Sequence, residues 1–178
     1  SRALIVAPLE VAKNTWPDEV HEWEHLRGLT YTVVTGNEKQ RLAALEVDAD
    51  LTIINRENLQ WLWKTTGGRK GWRWDVLVYD ESSRLKGFVP RTKGTDKTPP
   101  QISEFGVLVQ ARSKIKKVVQ LSGTPAPNGI YDLGGQARVL FGQESPLGQT
   151  KHEFETKFFD KNKYTFEINP KPGAEEQI

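Results

Sequence analysis

The chain contains no cysteine and no methionine among its 178 residues. The absence of cysteine excludes disulfide bonds and thiolate metal sites, and it is compatible with a reducing compartment. No stretch approaches the roughly 18 consecutive apolar residues that a membrane-spanning helix requires, and no basic-then-apolar leader opens the sequence. Because Ser1 stands directly before an apolar run and methionine is missing, we expect the chain to be a piece of a longer protein.

An excess of charge of one sign is also lacking. The formal net charge is +2, with 27% charged and 37% hydrophobic residues. This balance is typical of a soluble globular domain, and it is too weak to indicate a nucleic-acid-binding protein by itself. The length suits one domain with a sizeable core.

Five short apolar runs are present, and they predict the strands of an α/β fold. They cover residues 3–7, 31–34, 51–54, 76–79 and 118–121. The runs lack polar alternation, which is typical of strands covered on both faces. Helical patterns separate them, so right-handed crossovers and a parallel sheet flanked by helices are expected. Ligands of such sheets bind at the carboxyl ends of the strands.

The helix starts are predicted from capping residues. Thr15 is expected to cap a helix that has Pro17 in its first turn and turns Val20 and Trp23 inward. Asn37 and Asn55 open the next two helices. Further helices are predicted over residues 101–114, 130–141 and 151–159, with a loop over residues 88–100.

Two carboxylates, Asp80 and Glu81, directly follow the fourth apolar run. An aspartate at the end of a buried strand is well placed to hold Mg²⁺ through a water molecule, and an adjacent glutamate can polarise an attacking water. The alternative is a strand that runs into an acidic surface turn, in which Glu81 pairs with Arg84 or Lys86 at little gain in stability.

The loop LSGTPAPNG, residues 121–129, follows the fifth run. Ser122 and Thr124 flank a glycine, which lets the backbone and both hydroxyls approach a ligand closely. The alternative is a loop built only from good turn formers. The carboxylate pair and this loop together make a stronger signal for a ligand site than either makes alone.

These motifs resemble the first RecA-like lobe of a superfamily-two helicase of the Swi/Snf-type group, and phage or bacterial members most of all. Residues 3–23 resemble motif Ia, and LTIINRENL at 51–59 stands where motif Ib is expected. DESSRLKG at 80–87 resembles DEAHRLKN, and LSGTPAPNG resembles the motif III sequence LTGTPxxN. The resemblance predicts an incomplete lobe over residues 1–141, and an extension over 142–178 that leads towards a second lobe of the same parent chain.

The resemblance implies a DNA-dependent ATPase that moves on duplex DNA, in the cytoplasm of a bacterium or a phage-infected host cell. Asp80 would bind the Mg²⁺ of ATP through water and Glu81 would orient the hydrolytic water, while Ser122 and Thr124 would couple the nucleotide state to DNA contacts. Arg84 would lie beside the same cleft. The residues implied in DNA binding are Pro8, Leu9, Lys13, Asn14, Thr15, Asn55, Arg56, Lys86 and Asn128.

Two departures from the family pattern matter. Ser83 replaces the histidine of DEAH, and the sequence has no Gly-x-x-x-x-Gly-Lys-Ser/Thr loop to cradle phosphates. We therefore expect this chain alone to be inactive as an ATPase. Two alternatives stay open: a DNA- or protein-binding scaffold without nucleotide chemistry, and a motor subunit of a larger nuclease or modification complex.

The missing phosphate loop also affects the expected sheet. In the family, the strand that carries this loop lies beside the motif III strand. Without it, residues 118–121 would expose unpaired backbone, which is a predicted site of self-association.

Overall fold

A five-stranded parallel sheet forms the centre of the computed structural model, which describes residues 1–88, 101–162, 164–165 and 167–178. The strands are β1 Ala3–Ala7, β2 Tyr31–Val34, β3 Leu51–Asn55, β4 Val76–Asp80 and β5 Lys117–Leu121. They lie in the order β2-β3-β1-β4-β5. Each predicted run becomes a strand with bounds within one residue of the expectation, and the α/β, RecA-like fold class is confirmed.

The register of the strands brings their carboxyl ends to one edge. Ala7 is paired with Asn55, and Asp80 is paired with Leu121. The motif residues that follow these strands therefore begin at the same level of the sheet, as the parallel topology predicts.

The strands differ in how far they are covered. In β1 and β3 all residues but the first are buried, in accord with their apolar composition. β5 has exposed residues at both ends and half-buried ones between them. Among the described strands β5 pairs only with β4, so it forms an edge of the sheet.

Seven α-helices accompany the strands in the described residues. They are α1 Trp16–Glu22, α2 Glu38–Glu46, α3 Leu59–Thr65, α4 Glu104–Ala111, α5 Leu133–Phe141, α6 Lys151–Phe158 and α7 Ala174–Gln177. The helix predicted to open at Asn37 is present, and a capping box closes its start: the Asn37 side chain accepts a hydrogen bond from the Gln40 amide, and the Gln40 side chain accepts one from the Asn37 amide. Residues 89–100 of the predicted loop lie outside the described part of the chain.

Helix α1 begins at Trp16 with Pro17 in its first turn, as expected, but the capping role predicted for Thr15 is wrong. Thr15 has helical backbone angles and makes no side-chain cap, because a π-helical turn, Val11–Thr15, precedes α1 without a break. Pro17 has no amide hydrogen to donate to the preceding turn, which the first turn of a helix tolerates. Val20 is buried as expected, whereas Trp23 at the end of α1 is 54% exposed.

A second apolar cluster joins the extension to the sheet domain. Phe154, Phe158 and Phe159 of the extension pack with Ala137 of α5, and Phe88 and Leu133 border the same cluster. A short antiparallel hairpin of β6 Phe159–Lys161 and β7 Ile168–Pro170 follows α6. The helices within the described residues are all too short or too polar to cross a membrane. The predicted division of the chain at residue 141 stays a prediction.

Candidate nucleotide and DNA site

Glu81 is the first residue after β4 and has an unusual backbone. Its φ of 63° and ψ of 56° place it in the left-handed region, and it is the one non-glycine residue with positive φ in the described part of the chain. This conformation costs a residue with a Cβ atom about 1 kcal/mol or more. It turns the chain from β4 directly into the 3₁₀ turn Ser82–Leu85. Such strain is found most often at functional sites.

The Glu81 carboxylate joins the two strongest sequence motifs. Its Oε1 atom accepts hydrogen bonds from the Ser83 hydroxyl at 2.6 Å and from the Ser122 hydroxyl at 3.4 Å. Ser83, which replaces the histidine of the family pattern, thus holds the carboxylate directly. The structure therefore brings Glu81 and Ser122 together across 41 residues of sequence.

Asp80, the last residue of β4, contacts the first helical segment. The Trp16 indole N–H donates to Asp80 Oδ2 at 3.2 Å, and Trp16 is half-buried there. The two residues are 64 positions apart, so no local pattern in the sequence signals this contact.

The motif III loop is held by its own side chains. The Thr124 amide donates to Ser122 Oγ at 3.3 Å, and Thr124 itself is exposed. The backbone and side-chain amides of Asn128 both donate to Asp132 Oδ2, at 3.1 and 3.0 Å. Asp132 is buried, and Asn128 supplies hydrogen bonds that this buried carboxylate requires.

Helix α5 packs closely against the loop that follows Glu81. A Cβ atom at Gly135 would lie 2.0 Å from the Leu85 carbonyl oxygen and 2.9 Å from that of Gly87. Gly135 is therefore required for this approach, and α5 fixes the height of the 82–87 loop above the sheet.

The motif Ia residues surround the π-helical turn after β1. The Pro8 carbonyl accepts the Ala12 amide at 2.8 Å, so helical structure begins at once after the strand. Asn14 donates to the Glu10 carboxylate at 3.2 Å. Pro8 is half-buried. The other four motif Ia residues in the predicted DNA set are exposed at this edge: Leu9, Lys13, Asn14 and Thr15.

The two motif Ib residues differ in their surroundings. Asn55 is buried and engaged, since it donates to Glu57 at 2.7 Å and accepts from Asn58 at 2.6 Å. The hydrogen bond from Asn55 is the main cause that lowers the pKa of Glu57. Arg56 is half-buried, and its Nη1 atom is buried without a hydrogen-bond partner in the described part of the protein. Of the two, Arg56 is the more exposed and carries the positive charge that a phosphate would need.

A cleft of about 580 Å³ lies between the two motif loops and the start of α4. Ser83, Arg84 and Lys86 line it on one side and Pro127 on the other. Arg84 and Lys86 are exposed. Glu104, which also lines the cleft, accepts a hydrogen bond from the Tyr79 phenol at 2.7 Å, and burial is the main cause that raises the pKa of that phenol.

The donor set of the β4–β5 edge fits Mg²⁺ in part. Asp80, Glu81 and Ser122 offer oxygen atoms, which Mg²⁺ prefers. No group of three or more His, Cys, Asp or Glu side chains in the described residues could hold a metal by itself. Mg²⁺ in proteins usually takes one or two carboxylates and completes its shell with water and substrate phosphates. The residues that would cradle phosphates have no counterpart in this sequence.

Comparison with known proteins agrees with the motif reading. The family model of the SNF2-related domain matches residues 1–168. Putative protein p41 of Acyrthosiphon pisum secondary endosymbiont phage 1 is 38% identical over 157 residues, which are 88% of this chain and 32% of the phage protein. The chain thus spans about a third of the length of that relative. The resemblance stated from the motifs is confirmed, and the chain belongs to the SNF2-related domain family.

Proposed function

We propose that this chain is part of the first lobe of a motor that couples ATP hydrolysis to movement on duplex DNA. The observation that carries the proposal is the Glu81 carboxylate, held in a left-handed turn and bonded to Ser83 and Ser122. A carboxylate fixed at a strand end beside a hydroxyl loop suits the activation of a water molecule. The proposed unit is the lobe 1–141 with an extension 142–178 that leads to a second lobe.

In this proposal one pair of residues takes part in ATP hydrolysis, and a second pair couples hydrolysis to DNA binding. Asp80 would hold Mg²⁺ through water, and Glu81 would orient the attacking water and accept its proton. Ser122 and Thr124, in the motif III loop, would couple the state of the bound nucleotide to the DNA contacts. Mg²⁺ bound to ATP would neutralise charge on the phosphates. The proposed place of action is the cytoplasm of a bacterium or of a phage-infected cell.

The proposed DNA contacts lie on the same sheet edge and include exposed cations. Lys13, Arg56 and Lys86 supply positive charge for the phosphate backbone, with Arg84 as a neighbour. Leu9, Asn14, Thr15 and Asn128 complete the exposed set, while Pro8 and the buried Asn55 would shape the loops that present it.

A scaffold function is the second candidate. It is favoured by Ser83, which stands in place of the family histidine. In this case the lobe would bind DNA or a protein without nucleotide chemistry. A motor that serves a larger nuclease or modification complex remains a variant of the first proposal.

ATP hydrolysis by the parent protein, measured with and without duplex DNA, separates the candidates. We expect DNA to stimulate hydrolysis, and Glu81→Gln to lower kcat by at least about 100-fold, since a positioned acid or base contributes on that order. The control is Glu46→Gln, an exposed carboxylate at the far end of α2. Wild-type hydrolysis by the Glu81→Gln variant would refute the role of Glu81. Absent hydrolysis with retained DNA binding would favour the scaffold.

A further inference from the structure

Gln136 on α5 is a buried polar residue that none of the sequence motifs includes. It is 5% exposed, and its side chain bonds to both motif loops. Its Oε1 atom accepts from the Ser82 hydroxyl at 2.9 Å. Its Nε2 atom donates to the Pro125 carbonyl at 2.6 Å and to the Asp132 carbonyl at 3.0 Å. A single side chain therefore joins the loop after β4 to the loop after β5.

The two residues bonded to the Gln136 side chain are sequence neighbours of the proposed functional residues. Ser82 directly follows Glu81, and Pro125 directly follows Thr124. The Oε1 atom of Gln136 therefore holds Ser82, which is next to the proposed water-orienting carboxylate. The Nε2 atom holds Pro125, which is next to the proposed coupling hydroxyl of Thr124. A shift of either loop would strain or break the bond to the other.

The backbone around Gln136 is held as firmly as its side chain. The Gln120 side chain in β5 donates to the Gln136 carbonyl at 3.0 Å. Gly135 lies against the Leu85 carbonyl, where a Cβ atom has no room. Helix α5 therefore cannot move along its axis without disturbing β5 and the 82–87 loop together. Buried polar groups that lose their partners are costly, so the amide also selects one arrangement of the loops.

We propose that Gln136 is a positioning residue that holds the Glu81 turn and the Ser122–Thr124 turn in one relative arrangement, and that it thereby links DNA binding to ATP hydrolysis. The second half of this statement rests on the proposed function. Gln136 touches neither nucleotide nor DNA in this scheme; it acts through Ser82 and Pro125.

The test uses the parent protein with Gln136→Met, which keeps the volume and flexibility of the side chain and removes its hydrogen bonds. The matched control is Gln149→Met. Gln149 also donates through Nε2 to two backbone carbonyls, those of Gly142 and Gln143, but it lies in the extension. Gln136→Met should lose more thermal stability than Gln149→Met, because Gln136 is buried and makes three side-chain hydrogen bonds, so activities are compared per folded molecule.

Kinetics separate positioning from a purely structural role. We expect Gln136→Met to lower kcat of the DNA-stimulated reaction by at least about 10-fold, because small misplacements of catalytic groups have such effects. The KM for ATP should change little, and Gln149→Met should keep the wild-type kcat. Ser82→Ala combined with Gln136→Met should cost less than the sum of the single effects, since the two side chains share a bond. An unchanged kcat per folded molecule in Gln136→Met would overturn the proposal.

Amide hydrogen exchange tests the link even if the parent protein proves not to hydrolyse ATP. We expect Gln136→Met to accelerate exchange in residues 81–87 and in residues 122–129 together, and Gln149→Met to leave both segments unchanged. Faster exchange in one segment only, or in neither, would overturn the link between the loops. If the wild-type parent protein does not hydrolyse ATP, but Gln136→Met accelerates amide exchange in both segments, the result would count against the motor and support the positioning role.

Discussion

At the β4–β5 half of the sheet edge, side chains tie the loops to each other and to α5, whereas at the β1–β3 half the turn after β1 carries mainly exposed side chains. Glu81, Ser83 and Ser122 form one hydrogen-bonded group at the first half. At the second half Lys13 and Thr15 stand exposed on a helical turn that begins directly after β1. The sheet is common to both halves, so the difference lies in the loops.

This difference matches the physical demands of the two proposed tasks. A group that orients a water molecule must keep its position to a fraction of an ångström, which requires locked neighbours and tolerates backbone strain. A group that neutralises a phosphate gains most of its free energy from charge and counterion release, which does not require a rigid side chain. Substitutions of the bonded Glu81 group and of an exposed cation such as Lys13 should therefore fail in different ways.

The largest effect on folding is expected from Gly135→Ala in the β4–β5 half. Alanine usually stabilises a helix interior, but here its Cβ atom meets the Leu85 carbonyl oxygen. We expect a loss of about 3 kcal/mol in the free energy of unfolding, measured by urea denaturation of the parent protein. Gly28→Ala, where a Cβ atom would meet nothing within 4 Å, is the control and should change little. Equal stability of both variants would show that α5 does not fix the loop.

A change in DNA affinity without a change in chemistry is expected from Lys13→Ala in the β1–β3 half. The variant should bind duplex DNA more weakly, and the slope of log K against log salt should fall by about 1, as for one lost phosphate contact. Lys64→Ala, at the carboxyl end of α3, should leave the slope unchanged. If Lys13→Ala instead lowers kcat at saturating DNA, the two halves are not separate in function.

Among the described strands β5 forms an edge of the sheet, and this edge belongs to the more tightly held half. We expect residues 1–178 produced alone to self-associate through β5, with an average mass in sedimentation that rises with concentration. Leu121→Lys should reduce the association. The control is Leu42→Lys on α2, since the two leucines are 39% and 42% exposed. A monomeric chain whose unfolding midpoint equals that of the complete lobe would contradict this expectation.

The smallest effect concerns Glu57 at the end of β3. The hydrogen bond from Asn55 is the leading cause of its lowered pKa, so Asn55→Ala should raise that pKa in an NMR titration. A lowered folded pKa stabilises the protein above the ordinary glutamate pKa of about 4.3, and this contribution is lost as the pH falls through the folded pKa. The pKa of Asp50, lowered mainly by the Thr30 amide, should stay the same. An unchanged Glu57 pKa would mean that other groups hold the carboxylate.

The strands and the meeting of the two motifs were predictable from the sequence. Strands buried on both faces leave unbroken apolar runs, and parallel topology brings the residues after β4 and β5 to one edge. Asp80, Glu81 and Ser122 could therefore be found without coordinates, although their roles in catalysis and DNA binding remain predictions.

Contacts between distant parts of the chain could not be found in this way. The Trp16–Asp80 bond spans 64 residues and the Ser82–Gln136 bond spans 54, and neither leaves a local pattern. The Thr15 cap was wrong for a related reason: Thr-Trp-Pro-Asp resembles a helix start, but the π-helical turn supplies a helical segment before it. Local propensity is overridden where the neighbouring segment already satisfies the backbone.

Because Glu81 has a left-handed backbone, the residue that is best for stability at position 81 differs from the residue that is best for the proposed activity. Glycine or asparagine would adopt φ of 63° at lower cost than glutamate does. A library of variants sorted only for heat resistance is therefore expected to lose the carboxylate at this position, whereas one sorted for ATP turnover would keep it. Retention of Glu81 would then be the mark of selection for function.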